Sequence, residues 1–317
     1  MNGDIPAAGD DGGLRAILRA LRTPRAAPAV LAVVVATEGS TYRKPGALIL
    51  LPQQGVRIGW LSGGCLEAEL EHAAARVAAD GRAHHLRLDT RSDDDLVFGS
   101  SSGCRGVVEL MLLPLDESAP LLAALRSLER AQALALDLGT DGSGVADDGT
   151  QRWEWRATAP ATDRRWSLRL IAPKRLLLLG AGPESRPLLR LAHLLGWSVE
   201  AVETRARWFD ALAAADALHA NVEALALPRT RFDAAVVMSH HYSRDRDFLN
   251  YCADSAIPWV GLLGPIARRD ALLAELDAPA RERLLPRLHA PVGLRLGGEG
   301  PEAIALSIAA ALQRDVT

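Results

Sequence analysis

The stretch Arg175-Leu176-Leu177-Leu178-Leu179-Gly180-Ala181-Gly182-Pro183-Glu184-Ser185 decides the fold of half the chain. Its four consecutive leucines read as a strand buried on both faces, the usual state of a parallel strand. A glycine turn follows at once, and Glu184–Leu195 then takes helical spacing. In such a strand–turn–helix unit the first glycine permits the tight turn. The second lets a phosphate approach the backbone at the helix N-terminus. Glu203 closes the next apolar run, Ser198–Val202, and lies 203 − 180 = 23 residues past the turn, near the place of a ribose-binding acid. These features predict a Rossmann-like doubly wound parallel sheet. Gly180, Gly182 and Glu203 are its candidate binding residues, and NAD(P) or another nucleotide its candidate ligand.

The same pattern continues toward the C-terminus. Ala234–Met238, and Trp259–Val260 with its neighbours, supply further strands, each followed by a helical pattern. Alternating β and α units place helices on both faces of a parallel sheet. His240 and His241 fall just past the strand Ala234–Met238, where ligands of such sheets sit. His240 is therefore a candidate site residue, although one histidine capping the loop and the other facing solvent fits equally well. Gly261-Leu262-Leu263-Gly264-Pro265 is a second glycine loop opening a helix. The apolar segment Ala303–Leu312 suits either core or an interface helix.

Before Pro173 the pattern differs, which sets a domain boundary near residue 170 and divides the chain into 1–170 and 171–317. Helical spacing covers Leu14–Leu21, and Val30–Val35 reads as a buried strand. Ala47–Leu51 and Val56–Trp60 flank Pro52-Gln53-Gln54-Gly55, a hairpin signal. Leu66–Ala79 is helical, with Glu67, Glu69 and Glu71 in its first turns, where the helix dipole favours acids. His84–Leu88, Val107–Leu113 and Gln132–Leu138 read as strands, and Ala119–Arg130 as a helix. Gly139–Thr150 is dominated by Gly, Asp, Thr and Ser and reads as an exposed loop. Trp153–Arg156 and Trp166–Ile171 suggest a hairpin with each other. The N-terminal domain is thus also α/β.

Composition narrows the function. Apolar residues make up 49% of the 317, enough for two cores. The formal net charge is −3 with mixed signs, which argues against a nucleic-acid partner. Only Lys44 and Lys174 are available for lysine chemistry. The polar N-terminus and the lack of any run near the roughly 20 apolar residues of a membrane span predict a cytoplasmic protein with no membrane association. Three cysteines, Cys65, Cys104 and Cys252, give no disulfide framework.

Two of those cysteines stand out. Ser62-Gly63-Gly64-Cys65 immediately precedes a helix, where unpaired N–H groups favour a thiolate. Cys104 lies in Gly99-Ser100-Ser101-Ser102-Gly103-Cys104-Arg105-Gly106, with a cation beside it. Two thiols on small-residue loops suit a soft metal or sulfur chemistry. Each also fits a small apolar filler beside a packing glycine, as Cys252 does within the helix Arg244–Ala253. The 104 − 65 = 39 spacing excludes a CxxC zinc knuckle.

The chain resembles the XdhC/CoxI family of xanthine dehydrogenase accessory proteins. In the first domain the resemblance rests on 36–47 (Ala-Thr-Glu-Gly-Ser-Thr-Tyr-Arg-Lys-Pro-Gly-Ala), on 59–67 (Gly-Trp-Leu-Ser-Gly-Gly-Cys-Leu-Glu) and on 103–106 (Gly-Cys-Arg-Gly). In the second it rests on 180–183, 238–241, 261–264 and 289–294, continuing to 301–308. It implies a chaperone, without net chemical turnover, that binds molybdenum cofactor in its molybdopterin form. Such a chaperone holds its cargo for sulfuration by a cysteine desulfurase and inserts it into a xanthine dehydrogenase-type molybdenum hydroxylase apo-enzyme. It also implies a homodimer. Carried onto this sequence, Cys65 and Cys104 become the metal and cofactor ligands, with Glu38, Ser40, Gly63 and Gly64 lining the same site. Ser185, Glu203-Thr204-Arg205 and Arg295 depart from the family pattern, which bears on the second domain more than the first. The rival from another class is an NAD(P)-dependent oxidoreductase using the glycine turn and Glu203. A nucleotide sensor without catalysis is a third.

Overall fold

The computed structural model describes residues 13–23, 28–91, 105–157, 163–225 and 232–316. The chain divides into two compact units, Met1–Ala172 and Pro173–Thr317. Along the first run α1 (Leu14–Arg22), β1 (Ala29–Gly39), β2 (Leu48–Pro52), α2 (Glu67–Asp80), β3 (His84–Asp89), β4 (Gly106–Leu115), α3 (Pro120–Ser127), β5 (Ala133–Gly139), β6 (Gly144–Asp147), β7 (Arg152–Trp155) and β8 (Arg165–Ile171). The second contains β9 (Arg175–Leu179), α4 (Ser185–Leu194), β10 (Ser198–Val202), β11 (Ala217–His219), β12 (Ala234–Val237), α5 (Tyr242–Asp254), β13 (Val260–Leu262), α6 (Ile266–Glu275), α7 (Ala278–Leu284), β14 (Leu288–His289) and α8 (Pro301–Asp315).

In the first unit an antiparallel sheet of order β2-β1-β4-β3 carries α2 on one face. Even-numbered residues of β1, Val30, Ala32 and Val34, meet Leu70, Ala73 and Val77 of α2 there. Leu31, Val33 and Val35 point the other way, into a core shared with α1, α3 and Leu134, Leu136 and Leu138 of β5. Burial on both faces explains why β1 lacks the alternation of a half-exposed strand. One residue breaks the register: Val34 faces Leu110 and Ala36 faces Glu109, which leaves Val35 as a β-bulge.

The second sheet, β7-β6-β5-β8, corrects two sequence expectations. β6 lies inside Gly139–Thr150, which is mostly buried or half-buried and not an exposed loop. Its polar residues form a satisfied turn instead: Asp141 accepts from the backbone N–H and hydroxyl of Ser143, and Gly144 lets the Trp155 indole pack where a Cβ would stand. The tryptophan strands also do not pair with each other, because β7 pairs with β6 and β8 with β5. Val56–Trp60 forms only one bridge, Leu50 to Ile58.

The second unit is a parallel six-stranded sheet, β11-β10-β9-β12-β13-β14. Leu176 and Leu178 of β9 pack toward α4 and α8, while Leu177 and Leu179 pack toward α5, α6 and α7. Helices on both faces therefore account for the unbroken leucine run. The strand order reverses between β9 and β12, so the turns after these two strands flank the topological switch point. The short strands β11 and β14 carry too few residues for a periodic signal.

Candidate functional site

The loop before α2 is built around a buried carboxylate. Glu67, the first residue of the helix, accepts hydrogen bonds from the backbone N–H groups of Leu61 (3.0 Å) and Ser62 (2.8 Å) and from the Ser62 hydroxyl (2.5 Å). The Ser62 oxygen in turn accepts from the N–H groups of Gly64 and Leu66, both at 3.1 Å, and from the Cys65 thiol at 3.5 Å. Burial pushes the Glu67 carboxyl up, but the bonds from Ser62 and Leu61 outweigh it and hold the group below its ordinary value. Two polar residues thus clamp the turn from inside. Gly63 and Gly64 stand exposed outside it, with Cys65 half-buried beside them.

The glycine pair has no packing reason to be glycine on both sides. A Cβ at either position would meet nothing within 4 Å. Gly64, at φ +115°, still needs the left-handed region. Cys65 follows these glycines directly in the chain.

The other residues expected around Cys65 are arranged differently. α2 is joined to β3 by Gly81-Arg82-Ala83, so its first turn lies at the end of the sheet where β3 finishes, about 20 Å from the connection. β4 begins at that end, and the Ser40 N–H bonds to the Arg105 carbonyl there at 3.1 Å. Cys104 itself lies outside the described residues. Glu38 is a correction. The bulge at Val35 pairs Glu38 with Val107, on the face of Glu109 and Met111 and away from α2. Its carboxylate pairs with Arg91 at 2.8 Å, and Arg91 also holds Asp89. The sheet thus stands between the Glu38 side chain and the helix that carries Cys65.

At the switch point of the second unit the glycines have the opposite surroundings. A Cβ on Gly180 would lie 2.3 Å from the Ser239 Cβ, and one on Gly182 2.4 Å from Nε2 of His240. His240 adopts φ +56°, the one non-glycine residue with positive φ among the described residues, and donates to Glu184 at 2.7 Å. That bond, outweighing burial, raises the imidazole pKa. The Gly182 N–H is taken by the Ser185 hydroxyl at 3.0 Å, Pro183 has no N–H, and Glu184 brings negative charge to the helix start. All three features count against a phosphate in this turn.

Glu203 is likewise engaged inside the protein. Its side chain is 0% exposed and receives both sides of the Arg205 guanidinium, at 2.9 and 2.6 Å. Arg205 extends to the carbonyls of Ala181 and Ser239, both at 3.0 Å, and so ties β10 to the turns after β9 and β12. The acid expected to hold a ribose hydroxyl instead anchors this cross-brace. A second buried acid, Asp245, holds the Ser239 hydroxyl at 2.5 Å and Arg268 at 2.6 Å.

Comparison with known proteins decides the family. Residues 24–89 match the XdhC and CoxI family and residues 176–312 match the XdhC Rossmann domain. A probable xanthine dehydrogenase subunit from Bacillus subtilis is 32% identical over 307 residues, covering 89% of this chain and 91% of that one. The chain belongs to the XdhC and CoxI family.

Two further XdhC-type likenesses agree. The molybdenum cofactor insertion chaperone PaoD of Escherichia coli is 27% identical over 285 residues, covering 89% of this chain and 81% of that one. A crystal structure of a xanthine dehydrogenase from Bacillus halodurans superimposes with a TM-score of 0.75 at 28% identity, over 95% of each chain. The resemblance read from the sequence is confirmed, as is the pairing of an α/β domain with a Rossmann domain.

Among the described residues of this XdhC-family chain no three His, Cys, Asp or Glu side chains cluster to hold a metal ion. No helix described is long and apolar enough to cross a membrane. Cys252 is fully buried in α5, where burial pushes its thiol up to about 12, so it is a core residue. The sequence reading missed the clamp of Ser62 and the cross-brace of Arg205. Signals existed for both: a serine five residues before the first helical glutamate, and an arginine two residues after Glu203.

Proposed function

We infer that this protein is a molybdenum cofactor chaperone that holds its cargo at Cys65 in the first unit. The carrying observation is the clamped loop: a half-buried thiol beside two glycines whose open sides serve no packing. A cargo that brings sulfur ligands of its own needs few from the protein, which suits a site without a metal-ligand cluster. Cys65 supplies the first thiolate, and Cys104 is the proposed second. Gly63 and Gly64 let the bulk of the cargo approach the backbone, while Ser62 and Glu67 fix the direction of the thiol. The names of the relatives support this class of cargo and an apo molybdenum hydroxylase as the recipient.

In the finer reading the cargo is molybdopterin-type cofactor, held for sulfuration by a cysteine desulfurase before insertion, and the chaperone acts as a homodimer in the cytoplasm. Release to a recipient calls for micromolar affinity, about 8 kcal/mol. The second unit serves as a scaffold rather than a dinucleotide site, because Glu203 and the Gly182 N–H are both engaged internally. The test is cofactor retention. Protein expressed in cells that make the cofactor is subjected to metal analysis and pterin extraction, wild type against Cys65→Ser. The serine variant is expected to lose about nine-tenths of its molybdenum, a tenfold drop in affinity. Equal retention removes Cys65 from the site.

A further inference from the structure

A groove of about 800 Å³ runs along α2 from Gly63 and Gly64 toward Ala78 and Ala79. Its size falls in the range of small-molecule sites, about 300–1,000 Å³. One wall is the exposed side of α2, where Ala68 and Ala75 present nothing larger than a methyl group. The other is the segment after β2, which carries Arg57 and Trp60. The Arg57 guanidinium lies 4.7 Å over the Trp60 ring and pairs with Glu71 across the groove. Its side chain is only 12% exposed, whereas Glu71 remains 55% exposed.

Resting on the reading of Cys65 above, we propose that this groove takes the pterin body of the same cargo. The two features are continuous: Gly63 and Gly64 both line the groove and precede the thiol by one or two residues. The chemistry of the walls matches the ring system of a pterin. A 2-amino-4-oxopyrimidine edge offers two adjacent N–H donors, which a carboxylate accepts in parallel, and Glu71 is the accessible carboxylate. A flat heteroaromatic ring slides between the alanine face of α2 and the planar Arg57–Trp60 stack.

The experiment titrates the full-length protein into fluorescent 6-hydroxymethylpterin and its monophosphate, following anisotropy. Saturable binding of both is expected. Glu71→Gln, on an exposed side chain, should weaken both by about tenfold through loss of a charge-assisted hydrogen bond. Ala75→Leu, which fills the groove without removing any hydrogen bond, should do the same. Near-UV circular dichroism confirms that each variant is folded, and sedimentation reports its oligomeric state. Wild-type affinity in both variants, or no binding of either pterin, overturns the proposal. So does a shift in oligomeric state with pterin binding intact, since the groove would then be covered by a second copy of the chain. Molybdenum retention by Cys65→Ser, measured in parallel, separates the two readings. Unchanged retention removes the thiol site, whereas unchanged pterin binding by the groove variants removes the groove.

Discussion

Two glycine turns that open helices, Gly63-Gly64 before α2 and Gly180-Ala181-Gly182 before α4, are glycine for opposite reasons. Around Gly180 and Gly182 the protein itself occupies the space, with Ser239, His240 and Glu184 pressed against the backbone. Around Gly63 and Gly64 the space is empty. Glycine in the first case is the imprint of a neighbouring loop, and in the second it leaves room for something that arrives. The motif with the more familiar spacing is the one that its own side chains have filled. The less familiar one is followed at once by a half-buried thiol.

The contrast predicts unequal costs for the same substitution. Gly180→Ala adds a Cβ at φ +86° against Ser239, combining backbone strain with overpacking, and should cost about 3–5 kcal/mol in urea denaturation of the second unit. Gly63→Ala meets open space and should change stability by less than about 1 kcal/mol. Equal losses would erase the distinction between a filled and an open turn.

Glu203→Gln should follow, at about 3 kcal/mol, because it leaves the Arg205 guanidinium beside a buried amide. Faster amide exchange at the turns after β9 and β12 is the accompanying readout, since Arg205 bonds to the Ala181 and Ser239 carbonyls.

Acidity should act on the two turns in opposite directions. The folded pKa of His240 is raised above its ordinary 6.5 by Glu184, so its contribution is complete below 6.5 and is lost as pH rises through the folded value. With the side chain 49% exposed the effect is small, about 0.5–1 kcal/mol after solvent screening, and His240→Gln should abolish it. Glu67 is shifted down from 4.5, so the clamp of the open turn is intact above 4.5 and fails as pH falls through the folded value. Denaturation midpoints from pH 2.5 to 9, read with probes in each unit, check both signs. Loss of the second unit's stability on acidification through the histidine range would contradict the Glu184 pairing.

The smallest expected effect is a null one. NADH added to the wild-type protein should give no saturable fluorescence change, because the Gly182 N–H and Glu203 already have partners inside the protein. Saturable binding would show that the filled turn can open.

These outcomes bear on what the residues alone disclose. The leucine run of β9 announces its strand because both faces of that strand are buried, a condition the local sequence carries in full. The open thiol loop was visible as Ser62-Gly63-Gly64-Cys65. Its clamp was not, because the acids of the first helical turns look alike until the backbone shows that Glu67 alone folds back to the Leu61 and Ser62 N–H groups. Glu203 misled for the converse reason. Its spacing from the glycine turn matches a ribose acid, but its engagement depends on Arg205 reaching two other turns, one of them 34 residues away. The buried strand β6 escaped because a satisfied Asx turn has the composition of a loop.

The bulge at Val35 changes which residue numbers of β1 look toward α2. A strand alternates faces at every residue, so one extra position exchanges the two sides for all that follows. Deleting Val35 would remove the extra position and restore regular alternation, with Thr37 still opposite Val108 and Glu38 still opposite Val107, on the faces they already occupy. In this part of the chain a face read from even or odd numbering therefore holds only on one side of Val35: even positions meet α2 before it and odd positions after it. Homologues that lack the extra residue should present the equivalents of Thr37 and Glu38 to the same faces, so a one-residue gap at Val35 should leave the arrangement of the site unchanged.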